Sequence, residues 1–150
     1  MRPIVGHQVI REYLYAFLAV CPFDGQSTSL ILPWSDTYTM SIFLAHTAMR
    51  FKDDYCILFM DGAGWHRARE LNIPENMRLE FLPPYSPELN PVEHIWEHLR
   101  ENHFGNDVFS TLEEVEQRLC IGLRDCMENP EQMKSISLFS WINTLSLSSN

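Results

Sequence analysis

The sequence lacks several patterns that would place it in particular classes of protein. No apolar run approaches the roughly 18 consecutive residues of a membrane span, and the N-terminus lacks the basic, apolar and small-residue order of a secretory signal. The four cysteines form no CxxC pair, which is the spacing typical of zinc sites. We therefore expect a soluble cytoplasmic protein without a zinc site and without a membrane partner.

Basic side chains are also scarce. Lysine and arginine number 11 against 20 acidic residues, which gives a formal net charge of −9. Proteins that bind nucleic acid by themselves usually carry a basic patch, because neutralising phosphates supplies most of the nonspecific affinity. We expect this chain to bind DNA poorly by itself. The excess of carboxylates suits a divalent-metal site or ordinary solubility.

The 150 residues, 45% of them hydrophobic, predict a single domain over residues 1–150. Apart from residues 1–10, which show little pattern, the order of elements predicts a mixed sheet with helices packed on it. Alternation and apolar runs predict strands at 13–20, 29–32, 55–60 and 77–82. Helical periodicity and end signals predict helices at 38–50, 65–71, 91–102, 111–129 and 131–145.

Two helix starts carry clear capping signals. Asp36 or Thr37 can cap the first long helix, whose inward positions are then Met40, Phe43, Leu44 and Thr47. Thr111 followed three residues later by Glu114 is a capping-box pattern that opens the C-terminal helices.

Two acidic residues stand where rigid elements would position them. The run Tyr55–Met60 is apolar on both faces, as expected of a central strand covered by helices, and Asp61 follows it. A proline-rich loop then leads to Asn90 as N-cap and Pro91 as first helical residue, which puts Glu93 in the first turn. If the predicted strands at 55–60 and 77–82 are neighbours, the carboxylates of Asp61 and Glu93 can converge on Mg²⁺ or Mn²⁺.

Three segments around these acids resemble a known family. They are Asp61-Gly-Ala-Gly-Trp-His66, Pro74-Glu-Asn76 and above all Leu82-Pro-Pro-Tyr-Ser-Pro-Glu-Leu-Asn-Pro-Val-Glu-His-Ile-Trp96. The chain is similar over most of its length to the catalytic domain of DDE transposases of bacterial insertion sequences, the group related to mariner elements.

The resemblance implies an α/β fold of the ribonuclease-H-like (retroviral-integrase superfamily) type, a mixed sheet flanked by helices. It implies metal-dependent DNA strand cleavage and strand transfer, with DNA ends and target as partners. Asp61 would be the second acid of the catalytic triad and Glu93 the third, both ligands of two Mg²⁺ or Mn²⁺ ions. Two such ions activate the attacking oxygen and stabilise the leaving oxygen.

The chain also departs from the family pattern. In similar proteins the first triad aspartate lies on a first strand upstream of the position of Arg2-Pro3, and a basic helix-turn-helix region precedes it. We therefore expect an N-terminally truncated domain that is inactive without the missing part, which an overlapping reading frame could encode. Asp24 and Asp36 are poor substitutes for the missing aspartate, because a turn and a helix cap explain them locally.

Several other polar residues could have either a functional or a structural role. His66, Arg67, Arg69 and Arg100 are candidate contacts to DNA or to a metal-bound water, and each also suits a plain structural or surface role. His94 and His98 are spaced to share a helix face as a metal pair, but for them and His103 we favour a solvated face. Trp65 and Trp96 are expected in the core or in loop packing rather than as platforms for base stacking.

Two further hypotheses stay open alongside the transposase. One is a catalytically dead remnant that serves as a protein-interaction or oligomerisation module, for example as a homodimer, because an open sheet edge is a template for pairing. The other is a ribonuclease-H-like nuclease of another kind, which RNA–DNA hybrid substrate would reveal. Whether the chain is an enzyme by itself is left open by the sequence.

Overall fold

The computed structural model of the chain describes residues 2–5, 13–61, 70–83 and 86–139. Within these ranges the chain forms five strands: β1 Arg2–Val5, β2 Tyr13–Val20, β3 Ser27–Leu32, β4 Cys56–Asp61 and β5 Met77–Leu82. The same ranges hold four α-helices: α1 Thr37–Arg50, α2 Val92–Leu99, α3 Leu112–Glu128 and α4 Pro130–Ser137. None of these helices is long and apolar enough to cross a lipid bilayer.

The strands form two small sheets in the described part of the chain. One has the order β1-β2-β3, with β1 antiparallel to β2 and Arg2 opposite Ala16. The other is the parallel pair of β4 and β5. The mixed α/β class is therefore confirmed. β1 was not predicted, because its signal is its pairing with β2, which a local pattern does not contain.

The predicted hairpin of β2 and β3 is confirmed. The connection is closed by two backbone hydrogen bonds, from Cys21 N–H to the Gln26 carbonyl at 2.8 Å and from Gly25 N–H to the Cys21 carbonyl at 2.7 Å. Gly25 has φ +76°, a conformation that glycine adopts without steric cost. The buried Gly25 also lies against the first turn of α4, because a Cβ built on it would overlap the Pro130 carbonyl.

The chain divides into two compact units, of which the first comprises Met1–Phe17 and Ser29–Asn90. Its principal helix, α1, begins at Asp36, whose carboxylate accepts the Thr39 N–H at 2.8 Å while the Asp36 N–H donates to Thr39 Oγ1 at 2.9 Å. This reciprocal cap confirms the predicted helix start. The buried apolar residues of this unit are Leu14, Ala16, Phe17, Met40, Phe43, Leu44, Ala48, Met60 and Met77.

The second unit comprises Leu18–Thr28 and Pro91–Asn150. After α2 the helical path continues as a π-turn over Arg100–Phe104. Gly122 of α3 lies against it, since a Cβ there would be 2.8 Å from Leu99 Cδ2 and 3.2 Å from the His103 ring. The buried apolar residues of this unit are Leu18, Ala19, Ile95, Trp96, Leu99, Val115, Leu119, Leu123, Cys126 and Met133.

One prediction about β4 is wrong. Ile57 and Phe59 are 46% and 36% exposed, so helices do not cover both faces of this strand. The register pairs Ile57 with Arg78 and Phe59 with Glu80, and Arg78 Nε lies 3.0 Å from Glu80 Oε1. An exposed ion pair marks this face of the β4–β5 pair as solvent-facing, and an apolar run alone could not distinguish that arrangement from a fully buried strand.

The C-terminal helices follow the capping signals with small differences. Thr111 Oγ1 accepts the Glu114 N–H at 3.2 Å, as predicted, but the Glu114 carboxylate accepts from Ser110 rather than Thr111. α4 spans Pro130–Ser137 and ends there, with Leu138 in extended geometry, so the predicted 131–145 helix is wrong at positions 138 and 139. Positions 140–145 lie outside the described residues. Most of the helix predicted over 65–71 also lies outside the described residues.

Candidate catalytic site

Asp61 is the last residue of β4, as predicted, and its side chain is exposed. The parallel register places Asp61 opposite Leu82, the last residue of β5. The Cys56 N–H donates to the Asn76 carbonyl at 2.7 Å, which fixes the start of both strands. Parallel strands end at the same edge of a sheet, so the chain leaves β5 toward Glu93 from the edge that carries Asp61.

Glu93 lies in the first turn of α2, also as predicted, and is half-buried. A 3₁₀ turn over Pro87–Leu89 precedes the helix, with the Leu89 N–H donating to the Ser86 carbonyl at 3.1 Å. The helix begins one residue later than predicted, at Val92, with Pro91 in helical geometry at the N-cap position. The N-terminal end of a helix dipole is positive, so an acidic residue is well placed there.

The two acids belong to different compact units, Asp61 to the first and Glu93 to the second. Their convergence on one cation therefore stays a prediction. Three of the four candidate contacts to DNA or water, His66, Arg67 and Arg69, lie outside the described residues. The fourth, Arg100, is exposed at the start of the π-turn, where its carbonyl accepts the Gly105 N–H.

Asp24 and Asp36, which were weighed above as substitutes for the first triad aspartate, have local roles. The Asp24 carboxylate accepts the Gln26 N–H at 2.9 Å inside the hairpin turn. The Asp36 carboxylate caps α1, and its hydrogen bond from the Thr39 N–H is the main cause that lowers the pKa of Asp36 below its ordinary value of 3.8. Both local roles are as predicted. That neither aspartate serves as the first triad acid stays a prediction.

The histidines of α2 and the π-turn do not form one solvated face, so that prediction is wrong for two of them. His94 is exposed and packs edge-on against Phe139, with ring centroids 4.8 Å apart. His98 Nδ1 lies 3.1 Å from the Asn102 side-chain amide, and His98 Nε2 is buried. His103 is half-buried, and its Nε2 lies 3.1 Å from Asp125 Oδ2.

The π-turn explains the result for His103. It shifts the residues that follow α2 relative to regular helical spacing, so spacing alone misplaces His103. Gly122 leaves the room that brings the His103 ring against α3. Trp96 is 5% exposed, which confirms the core prediction for that residue, whereas Trp65 lies outside the described residues.

One residue of the motif segments has a structural role that the sequence analysis did not assign. The Asn76 side-chain amide donates to the carbonyls of Ala48 at 3.1 Å, Phe51 at 3.3 Å and Asp54 at 3.2 Å. These bonds tie the end of α1 and the following turn to the start of β5. The sequence does show an asparagine just before the alternating strand β5. Its hydrogen-bond partners lie 22 to 28 positions earlier in the chain, so local sequence does not identify them.

The two acidic side chains are of the kind that binds a hard cation. Carboxylate oxygens from a strand end and a helix start are the donors that Mg²⁺ and Mn²⁺ prefer. Over the described ranges, no group of three or more His, Cys, Asp or Glu residues is arranged to hold a metal ion. The cysteines add no soft ligand set, and burial raises the pKa of the Cys56 thiol within β4.

Comparison with known proteins identifies the family. Residues 13–116 match the family described as DDE superfamily endonuclease, a range that contains both Asp61 and Glu93. A protein of Sinorhizobium fredii (strain NBRC 101917 / NGR234), named "Uncharacterized protein y4pE/y4sA", is 38% identical over 130 residues, which are 86% of this chain and 96% of that protein. No solved structure matches the chain significantly. This chain belongs to the DDE superfamily endonuclease family.

Proposed function

We propose that this chain is the C-terminal catalytic portion of an insertion-sequence transposase with a ribonuclease-H-like fold. It supplies Asp61 and Glu93 to a metal site for DNA strand cleavage and strand transfer. The observation that carries the proposal is the family match over residues 13–116, within which the acids stand at a strand end and a helix start. The chain acts in the cytoplasm on element ends and target DNA, and, as in similar transposases, catalysis needs a further acid besides these two.

The two acids have related roles in the proposed mechanism. Asp61 and Glu93 would hold Mg²⁺ or Mn²⁺, and such ions would supply polarisation of the scissile phosphate and stabilisation of charge on the attacking and leaving oxygens. Asp61 is held by the hydrogen-bonded end of β4, and Glu93 by the first turn of α2, so both ligands start from ordered backbone. Holding ligands in place before the metal binds reduces the entropy lost when the site is loaded.

DNA binding is the weaker part of this chain's contribution. Its net charge of −9 repels the phosphate backbone, and bound divalent ions reverse the sign of the field only near the acids. We propose that Arg67, Arg69 and Arg100, with His66, contact phosphates or water close to the site. Most of the affinity for DNA must then come from the basic segment that precedes the catalytic domain in similar transposases.

Metal binding gives a direct test of the two acids. Saturation with Mn²⁺ at ten times its Kd stabilises a folded protein by about 1.4 kcal/mol, which thermal unfolding detects. We expect Mn²⁺ to raise the Tm of the full chain and expect Asp61→Asn and Glu93→Gln to remove most of that rise. Asp53→Asn and Glu97→Gln, at exposed positions in the turn after α1 and on α2, are the matched controls. An unchanged Mn²⁺ response in both acid variants would refute the ligand assignment.

A second test asks whether the chain can cleave DNA without a further polypeptide. With Mn²⁺ and DNA of the element ends, the chain alone should give no strand cleavage. Adding the polypeptide encoded in an overlapping upstream frame should restore cleavage, and Asp61→Asn in the same mixture should abolish it. Robust cleavage by the chain alone would contradict the requirement for a missing part.

The competing hypotheses predict different outcomes in the same assays. A catalytically dead interaction module shows neither a metal response at Asp61 and Glu93 nor cleavage after the upstream polypeptide is added. A ribonuclease-H-like nuclease of another kind cleaves the RNA strand of an RNA–DNA hybrid and leaves duplex DNA intact. The transposase proposal predicts the reverse preference.

A further inference from the structure

The π-turn after α2 is held against α3 by contacts that the proposed function does not use. The Arg118 guanidinium donates to the His103 carbonyl at 2.7 Å, and His103 Nε2 lies 3.1 Å from Asp125 Oδ2. Between these two hydrogen bonds Gly122 lies against the His103 ring, because an added Cβ would be 3.2 Å from the ring. Arg118, Gly122 and Asp125 are spaced at i, i+4 and i+7, so they share one face of α3. We call these three residues the α3 clamp.

The polar side chains of the α3 clamp are fixed by further hydrogen bonds. The Asn129 side-chain amide donates to Asp125 Oδ1 at 2.9 Å, so the two carboxylate oxygens of Asp125 have different partners. Arg118 Nη1 also lies 2.7 Å from Asp107 Oδ2. A carboxylate accepts hydrogen bonds, so Nε2 of His103 carries the proton in the contact with Asp125. The clamp therefore determines both the position and the rotation of the His103 ring.

The π-turn and α2 form one helical path over residues 92–104. Across their boundary the Asn102 side-chain amide donates to the His98 carbonyl at 2.9 Å. The Gly105 N–H closes the π-turn by donating to the Arg100 carbonyl at 2.8 Å. A rise of about 1.5 Å per residue makes this path about 20 Å long. A displacement at one end of so short a rod reaches the other end.

Hydrogen bonds add direction to the packing of this helical path. The buried residues of α2 are Ile95, Trp96 and Leu99, and the hydrophobic effect that buries them has no preferred direction. A hydrogen bond, in contrast, requires a particular distance and angle. The contacts of His103 with the α3 clamp therefore restrict rotation and sliding of α2 in a way that apolar burial does not.

We propose that His103 is a positioning residue for Glu93, an inference that rests on the proposed role of Glu93 as a metal ligand. The α3 clamp holds the His103 ring, the ring fixes the π-turn, and the π-turn sets the rotation and the axial position of α2. Glu93 lies in the first turn of that helix, so its carboxylate is held in one direction before a cation binds. A ligand that is ordered beforehand binds more tightly, because less conformational freedom is lost on binding.

Isothermal titration calorimetry of the full chain with Mn²⁺ measures this effect. His103→Leu keeps a bulky side chain but removes the donor to Asp125. It should weaken Mn²⁺ binding about 2- to 30-fold, the range for substitutions that act on a site through packed elements. His103→Gln should bind Mn²⁺ like the wild type, because its side-chain amide can donate to Asp125 in place of the ring. His46→Leu makes the same change at an exposed position of α1 and should have no effect.

A double variant distinguishes positioning from a general loss of stability. Glu93→Gln should itself weaken Mn²⁺ binding, and adding His103→Leu to it should cause no further loss, because the two changes then act on the same ligand. A full additional loss in the double variant would overturn the positioning role. So would a His103→Leu variant that binds Mn²⁺ like the wild type while Glu93→Gln binds it weakly. An unchanged affinity in Glu93→Gln would instead refute the ligand assignment on which that role rests.

Hydrogen exchange without metal tests the same mechanism separately from binding. In His103→Leu the amides of α2 should exchange faster than in the wild type, whereas those of α1, which belongs to the other unit, should be unchanged. His103→Gln should restore wild-type exchange in α2. Faster exchange limited to the π-turn, with α2 protected as in the wild type, counts against transmission from His103 to Glu93.

Discussion

The contact between the β2–β3 turn and α4 leads to a quantitative prediction about Gly25. Any side chain at this position meets two obstacles. The φ of +76° is strained for an L residue, and an added Cβ would lie 2.6 Å from the Pro130 carbonyl carbon and 2.8 Å from the Lys134 nitrogen. These are backbone atoms of a helix, so they cannot rotate away as a flexible side chain would.

The expected cost of Gly25→Ala follows from these two terms. Backbone strain at positive φ costs about 1–3 kcal/mol, and overpacking that shifts backbone typically adds another 1–3 kcal/mol. Gly105 provides the matched control, because it also has a positive φ, +52°, but an added Cβ there has nothing within 4 Å. Gly105→Ala should therefore lose the strain term alone.

Urea unfolding followed by tryptophan fluorescence measures both losses. We expect Gly25→Ala to be less stable than Gly105→Ala by about 1–3 kcal/mol, with similar m-values so that midpoints can be compared. A folded domain of this size is stable by only about 5–15 kcal/mol, so the difference is readily resolved. Equal losses in the two variants would refute the packing of this turn against Pro130.

Three further predictions concern other side chains. Asn76→Ala removes the donor to three carbonyls and should cost about 1–3 kcal/mol in urea unfolding, whereas Asn72→Ala, whose bond to Ser41 uses backbone N–H, should change stability little. The lowered pKa of Asp36 means that its charge stabilises the fold above the ordinary value of 3.8 and that this contribution is lost as pH falls through the folded pKa. The urea midpoint of wild type should therefore exceed that of Asp36→Asn at pH 7, and the gap should narrow as the pH falls below 3.8. A constant gap would contradict the assignment. Burial raises the pKa of Cys126 to about 11. After iodoacetamide treatment at pH 8, mass spectrometry should therefore find exposed Cys120 labelled well before Cys126. Equal labelling of the two cysteines would be inconsistent with the burial of Cys126.

The limits of α1 and α3 could be predicted because their signals are local. Asp36 and Thr111 cap the helices within three residues of themselves, and the apolar stripes continue from there. The existence of strands β4 and β5, and the positions of Asp61 and Glu93 at their element ends, follow equally from short apolar runs bounded by glycine, proline and acid. The parallel pairing of the two strands was not predicted.

The features that sequence reasoning missed depend on pairing and packing between distant parts of the chain. β1 is a strand because it pairs with β2. Whether one face of β4 is buried or exposed depends on which distant parts of the chain pack against it. The π-turn at Arg100–Phe104 is accommodated by Gly122 of a later helix. No window of neighbouring residues contains these relations, so helical spacing misassigned His103.

The glycine at position 122 has a consequence for anyone who would engineer this protein for heat resistance. Replacing a glycine inside a helix by alanine is a routine stabilising change, since it gains about 1 kcal/mol of helix propensity. In α3 the added methyl group would push against Leu99, which is 1% exposed, and against the His103 ring. A search for weak helix formers would select this site, and the substitution would force the buried Leu99 side chain or the His103 ring to shift.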